Sequence, residues 1–190
     1  MTYITTKEKL FDDLYLYNIG KDKSELLFQM ASGVLDNYFK EALSSDGGKT
    51  YHSENRKCKD LQIDPNTKSK KLSLIIKYLN DPTYEAIKDI YGDVLVIPES
   101  GWSILKYEEG DKFDWHQDSS PNNPRDISVI ICFNEEYDGG VIDFQKFQVS
   151  KKMLSGDLMV FPSTAKYSHR VTKIKSGTRY VAVNWFRIEK

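Results

Sequence analysis

The spacing of apolar residues changes near residue 92, and the change divides the chain. From Ser24 to about Leu43, apolar side chains recur at Leu27, Met30, Ala31, Val34, Leu35, Tyr38 and Phe39. This three-and-four spacing places them on one face of a helix, with Ser24 where an N-cap is expected. Ser69 to Leu79 predicts a second helix; Asp81-Pro82 stops it and starts a third that runs to about Tyr91. Residues 12–19 and the run from Cys58 to Asp64 read as strands, and Ser44 to Lys49, with Gly47-Gly48, reads as a loop. From Val94 onward the period shortens. V-L-V-I-P, W-S-I-L-K-Y, D-I-S-V-I-I-C-F-N, G-V-I-D-F, F-Q-V-S, D-L-M-V-F-P, S-H-R-V-T-K-I and R-Y-V-A-V-N-W-F are short β-branched and aromatic runs separated by turn residues. That pattern predicts an all-β sandwich or barrel. The expected organisation is a single domain over 1–190, with helices and outer strands in 1–92 bracing a β core in 93–190.

Charge and composition narrow the function classes. The 190 residues carry a net charge of −1, and no long basic run points to nucleic acid or an anionic membrane. Lys68, Lys70 and Lys71 are expected at a solvated helix start. Cys58 and Cys132 are far apart and form neither a C-x-x-C motif nor a disulfide framework. No apolar stretch has signal-peptide or membrane-spanning length, so a reducing cytoplasm is the expected compartment.

The candidate chemistry begins at Y-E-E-G-D-K-F-D-W-H-Q-D, residues 107–118. On an extended chain, residues i and i+2 share a face, so His116 and Asp118 can aim an imidazole and a carboxylate at one point. Of the other two histidines, His52 lies in a polar run and reads as surface, leaving His169 as the third donor. Two histidines and a carboxylate on one face of a metal suit a non-haem Fe(II) oxygenase. Arg179 opens an otherwise apolar strand, where burial requires an anion to meet it; its planar fork fits a carboxylate. Taken one at a time, each motif also has a plain reading: a surface His beside a solvated Asp, and a strand-end Arg facing water.

Taken together, the motifs resemble the prolyl-hydroxylase branch of the Fe(II)/2-oxoglutarate-dependent dioxygenases. The resemblance is carried by Tyr107-x-x-Gly110-x-x-Phe113-x-x-His116-x-Asp118, Asp138-Gly139-Gly140, Gly156-Asp157-x-x-x-Phe161-Pro162, His169-x-Val171, Gly177-x-Arg179 and Asn184-Trp185-Phe186, in that order over roughly 101–187. It implies a mainly β fold with flanking α, whose core is a double-stranded β-helix (jelly-roll, cupin-like) braced by the N-terminal helices. It also implies Fe(II) on His116, Asp118 and His169, with 2-oxoglutarate and O2 as cosubstrates and ascorbate as a possible stimulant. Arg179 takes the role of pairing with the far carboxylate of 2-oxoglutarate, and Tyr107 that of hydrogen-bonding the same molecule. Trp185, on the face of Arg179 by parity, is expected to wall the pocket.

Three departures refine the resemblance. Collagen-type enzymes carry Lys where this chain has Arg179. Cys132 stands near where some Arg-using branches place a helping Tyr. Trp185 occupies the position of a second Arg in the nucleic-acid demethylases, which counts against base repair. The implied reaction is hydroxylation of a C–H bond, first of a prolyl residue in a peptide or protein, and alternatively of a free amino acid or other small molecule. A catalytically silent jelly-roll binding module and a structural zinc site are the remaining readings; zinc would call for a closed four-ligand set. The loop 119–126 and the segment 50–70 are the candidates for gripping substrate.

Overall fold

A computed structural model describes residues 2–46 and 49–189. Two antiparallel sheets make the core. The larger has nine strands, ordered Thr6–Phe11, Leu14–Asn18, Asp157–Pro162, Ile127–Cys132, Arg179–Ile188, Trp102–Tyr107, Lys59–Ile63 and Lys40–Glu41, with Val96–Pro98 also paired to Arg179–Ile188. The smaller has five, ordered Val149–Lys151, Ile142–Phe144, His169–Val171, Lys112–His116 and Arg56–Lys57. The β runs expected from Val94 onward all appear as strands.

Side-chain alternation explains the layering. Along Trp102–Tyr107 and its neighbours, Ile104, Ala182 and Ile131 are in register on one face, and Leu105, Val181 and Cys132 on the other. The second set packs with Ile142, Phe144 and Val171 of the smaller sheet, so one core lies between the sheets. The first set packs with Ile75, Leu79, Ala86 and Ile87, so a second core lies between the larger sheet and the helix Lys70–Tyr91. Because both faces of Arg179–Ile188 are covered, its sequence is apolar almost throughout.

Several expectations in the first half need correction. Pro82 does not stop the helix, which runs unbroken from Lys70 to Tyr91 with Ser69 Oγ accepting from Leu72 N. An interior proline costs about 3 kcal/mol. Here the buried stripe Ile75, Leu79, Pro82, Thr83, Ala86 and Ile87 keeps its phase across the proline, and its burial outweighs that cost. The first helix is Lys21–Gln29 and continues as a wider π-type turn, Met30–Val34, so it ends well short of Leu43. Ser24 is not its cap. It lies inside the helix, fully buried, donating to Lys21 O at 2.8 Å and hydrogen-bonded to Ser155 Oγ at 2.8 Å. Ser32 Oγ donates back to Phe28 O at 2.8 Å, a bond that loosens a helical ladder. Ser44–Asp46 and Lys49–Tyr51 pair as strands, so the expected loop is mostly a hairpin; Gly47 and Gly48 lie outside the described residues. The strand Thr6–Phe11, polar and exposed at the sheet edge, was not expected.

Leu79 is fully buried at the contact between helix and sheet. Leu79→Ala should lower stability by about 2–5 kcal/mol, measured as a fall in the urea midpoint with an unchanged slope.

Candidate active site

His116 ends one strand of the smaller sheet, and His169 opens the strand beside it, the two being register partners. Asp118 lies past the strand end, in a bend, and not on the extended chain that the i, i+2 spacing assumes. The three groups still converge: their donor atoms all lie within 4.8 Å of one another. His116 Nε2 is 3.8 Å from Asp118 Oδ1, and His169 Nε2 is 3.9 Å from Asp118 Oδ2.

The surroundings set the chemical state of each group. His116 Nδ1 donates to Asp114 O at 2.8 Å, and His169 Nδ1 donates to Tyr167 O at 3.0 Å. Placing the ring proton on Nδ1 leaves each Nε2 lone pair turned to the shared point. Phe113 stacks on His116 at 3.5 Å between centroids, and Phe161 and Phe144 flank His169 at 5.0 and 5.5 Å. Burial, reinforced by His169, lowers the His116 pKa to about 3, so this imidazole is neutral and ready to ligate. For Asp118, burial would raise the pKa, but the two imidazoles and Ser128 hold it below the usual carboxylate range. Ser128 Oγ donates to Asp118 Oδ2 at 2.6 Å and is hydrogen-bonded to Ser163 Oγ at 2.7 Å. Arg125 Nη1 donates to the Asp118 carbonyl at 3.1 Å, and its guanidinium lies 3.8 Å over the Trp185 ring.

These groups line a cavity of about 1030 Å3, which His116, Asp118, His169, Tyr107, Arg179 and Trp185 all border. The sequence-predicted residues are thus brought to one place. His52, expected at the surface, is exposed. From the loop 119–126, Ser120, Asn123 and Arg125 reach the cavity; from 50–70, Ser53, Asn55, Arg56, Asp60, Leu61 and Gln62 do.

Arg179 is 1% exposed, yet its Nε and Nη2 have no hydrogen-bond partner. Its chief electrostatic neighbours are Tyr137, Cys132 and Tyr107, none of them a carboxylate. Tyr107, fully buried, holds its ring 5.3 Å from the guanidinium carbon, and its hydroxyl pairs with Cys58. Tyr137 was not expected here. It hydrogen-bonds Arg179 and donates to Met153 O at 3.1 Å, 3.6 Å from Cys132 Sγ. It thereby brings a phenol to the place where Cys132 seemed to leave none. The signal was the turn that follows it: a Cβ on Gly140 would lie 3.1 Å from the Tyr137 ring and 3.0 Å from Arg179 Cδ, so only glycine lets the two pack. Both thiols near this end, Cys58 and Cys132, are free and buried, and burial raises the pKa of each.

Comparison with known proteins places this arrangement. Residues 102–187 match the 2OG-Fe(II) oxygenase superfamily. A PKHD-type hydroxylase of Prochlorococcus marinus strain AS9601 is 31% identical over 174 residues, which cover 85% of this chain and 75% of that protein. The chain belongs to the 2OG-Fe(II) oxygenase superfamily, in its PKHD-type branch. A PKHD-type hydroxylase of Synechococcus strain CC9902 is 35% identical over 88 residues, 43% of this chain, and the match spans only 39% of that relative's length. Two solved structures share the double-stranded β-helix fold of this chain. A Trichoplax adhaerens prolyl hydroxylase in complex with a hypoxia inducible factor peptide superposes with a TM-score of 0.76 at 18% identity, covering 92% of this chain and 83% of that one. A Pseudomonas putida prolyl-4-hydroxylase superposes with a TM-score of 0.69 at 18% identity, covering 94% of each chain.

Membership of this family implies Fe(II) and 2-oxoglutarate, and this chain fits both on its own geometry. Two imidazoles and one carboxylate are a donor set for Fe(II) with positions left open. The partnerless donors of Arg179 in the same cavity are a fit for a carboxylate. Among the described residues no helix is long and apolar enough to cross a membrane.

Two outcomes follow. Ser128→Ala strips Asp118 Oδ2 of its donor and should weaken Mn(II) binding about 10–100-fold by calorimetric titration. In the metal-free protein, His116 takes a proton only near pH 3, whereas the unfolded chain takes one near about 6.5. The unfolded state binds more protons in that window, so His116 contributes a loss of stability as pH falls, up to about 1.4 kcal/mol per unit. Urea midpoints at pH 7, 6 and 5 should fall in that order, and by less in His116→Gln.

Proposed function

We propose that this oxygenase is a hydroxylase dependent on Fe(II) and 2-oxoglutarate, in which His116, Asp118 and His169 hold the iron and Arg179 pairs with the far carboxylate of 2-oxoglutarate. One observation carries the reading: a buried guanidinium with open donors shares a cavity with a two-histidine, one-carboxylate cluster. A silent binding module requires neither, and structural zinc calls for a fourth protein ligand.

When bound, iron supplies the coupled oxidation in which O2 converts 2-oxoglutarate to succinate and carbon dioxide and delivers its second oxygen atom into a substrate C–H bond. The chain's part is position and environment. The carbonyls of Asp114 and Tyr167 hold the two ring tautomers. Ser128 and Arg125 fix the Asp118 segment from its side chain and its backbone. Phe113, Phe144 and Phe161 keep water from the histidines. Tyr107 and Tyr137 box the Arg179 guanidinium in phenol, which leaves an anion as its complement.

For substrate we propose a prolyl residue in a peptide or protein. The relationship to prolyl hydroxylases supports this, and so does the cavity's aromatic border: Trp115 and Tyr38 line it while staying 41% and 64% exposed. Exposed aromatic faces suit a proline ring. Succinate release that requires Fe(II) and 2-oxoglutarate, with a mass gain of one oxygen on a candidate peptide, tests the reaction.

The site assignments are tested separately. His169→Ala should abolish stoichiometric Mn(II) binding, and binding as tight as wild type would remove His169 from the metal site. Losing one partner of a desolvated charge pair costs about 2–5 kcal/mol, roughly thirty- to several-thousand-fold. Arg179→Ala should weaken 2-oxoglutarate binding by that factor with Mn(II) affinity intact. Arg179→Lys should fall between, keeping the charge without the fork. Wild-type 2-oxoglutarate kinetics in Arg179→Ala would leave the cosubstrate unassigned.

A further inference from the structure

A second pair of incompletely partnered charges lines the same cavity, on strands contributed by the first half of the chain. Arg56 and Asp60 stand on the successive pieces Arg56–Lys57 and Lys59–Ile63, and both border the cavity. Asp60 is in register with Leu105, and Leu105 with Val181, so Asp60 lies two strand spacings, about 10 Å, across the sheet from the Arg179 strand. Arg56 Nη1 donates to Leu43 O at 2.9 Å, but its Nε is buried without a partner. Asp60 Oδ2 accepts from Gln62 Nε2 at 2.7 Å, but Oδ1 is buried without a partner. Gln62 also donates to Ser103 Oγ, which ties the amide, and with it the carboxylate, in place. Arg56 lies 5.3 Å over the Phe113 ring, whose own ring is stacked on His116. Arg56 therefore stands close to the metal cluster without belonging to it.

Arg56 and Asp60 feel each other's charge, but no ion pair within 4.0 Å joins them. A buried donor or acceptor left unpaired is costly, and more so when charged. The cosubstrate does not account for both groups. 2-Oxoglutarate has no N–H to offer Asp60, and its carboxylates would be repelled there. The missing complement presents a donor and an acceptor a short distance apart. The nitrogen and the carbonyl oxygen that flank one α-carbon do so at roughly 3–4 Å.

We propose that Arg56 and Asp60 form a substrate subsite that grips one amino-acyl unit, its N–H or ammonium on Asp60 Oδ1 and its carbonyl or carboxylate oxygen on Arg56. The proposal rests on the hydroxylase reading above and specifies its substrate. The same chemistry comes from a free α-amino acid or from a residue within a chain. For a prolyl target in a chain, the gripped unit is the neighbouring residue, because an acylated proline nitrogen carries no hydrogen.

The test is calorimetric titration of the Mn(II)- and 2-oxoglutarate-loaded protein. The probes are the common free L-amino acids and, separately, their N-acetyl, N-methylamide forms, at up to millimolar concentration. At least one member should bind wild type, and Asp60→Asn should weaken it about tenfold or more, with Arg56→Gln doing the same. Affinity for 2-oxoglutarate and Mn(II) should stay within about twofold of wild type. Binding of free forms alone assigns the subsite to a zwitterion, and binding of blocked forms assigns it to a chain residue. Asp60→Asn should also melt no lower than wild type, because it removes a buried carboxylate; a residue needed only for folding would lower the melting temperature. The proposal is overturned if no probe binds, if Asp60→Asn binds as tightly as wild type, or if Asp60→Asn loses 2-oxoglutarate to the same degree. Protein that binds a probe but neither Mn(II) nor 2-oxoglutarate would sink the hydroxylase reading and leave the subsite standing.

Discussion

The buried guanidinium of Arg179 sets a condition that the surrounding fold has to meet. A permanent cation at 1% exposure is tolerated only where its stem is tightly packed and its charge has somewhere to go. The strand Arg179–Ile188 supplies the first requirement, held between Ile127–Cys132 and Trp102–Tyr107. The glycines after Tyr137 supply room: a Cβ on Gly139 would come 2.1 Å from Lys173 O, so only a bare backbone passes there. The second requirement is left to an anion, since the groups around the guanidinium are phenols and a thiol. The deep end of the cavity is thus selective by charge before any shape is considered.

The cavity depends on both sheets. The histidines come from the smaller one, and Arg179, Ser128 and Trp185 from the larger. Asp118 sits at the join, its carboxylate facing the histidines and accepting from Ser128 across the gap. Displacing either sheet would separate the imidazoles from the carboxylate. The helix Lys70–Tyr91 matters to the chemistry only because it holds the larger sheet from behind.

The second half of the chain was legible in the sequence because its signals are local and redundant. Short β-branched and aromatic runs mark the strands, and a glycine or proline marks most of the turns. His116, Asp118, His169 and Arg179 stand in a motif pattern that few other arrangements share. What was missed depends on contacts between distant residues. Pro82 looked like a stop because a proline's local cost is visible in sequence and the sheet that outweighs it is not. Ser24 looked like a cap because its partner, Ser155, is 131 residues away. Tyr137 was signalled only by the glycine turn after it, and its reach to Arg179 depends on what Gly139 and Gly140 press against. Thr6–Phe11 has no apolar alternation because it is an exposed edge, where strand pairing makes no demand on composition.

The two cysteines bear on how such a protein withstands its own chemistry. Cys58 and Cys132 flank the Tyr107 and Arg179 end of a cavity in a family whose reactions consume oxygen. Nucleophilic attack on an oxidant is made by the thiolate, not the thiol. Burial pushes both pKa values up and keeps both sulfurs protonated at neutral pH. Sulfur is thereby used here as apolar filling in its least reactive form, and the same desolvation that leaves Arg179 in need of an anion shields its neighbours from oxidative damage.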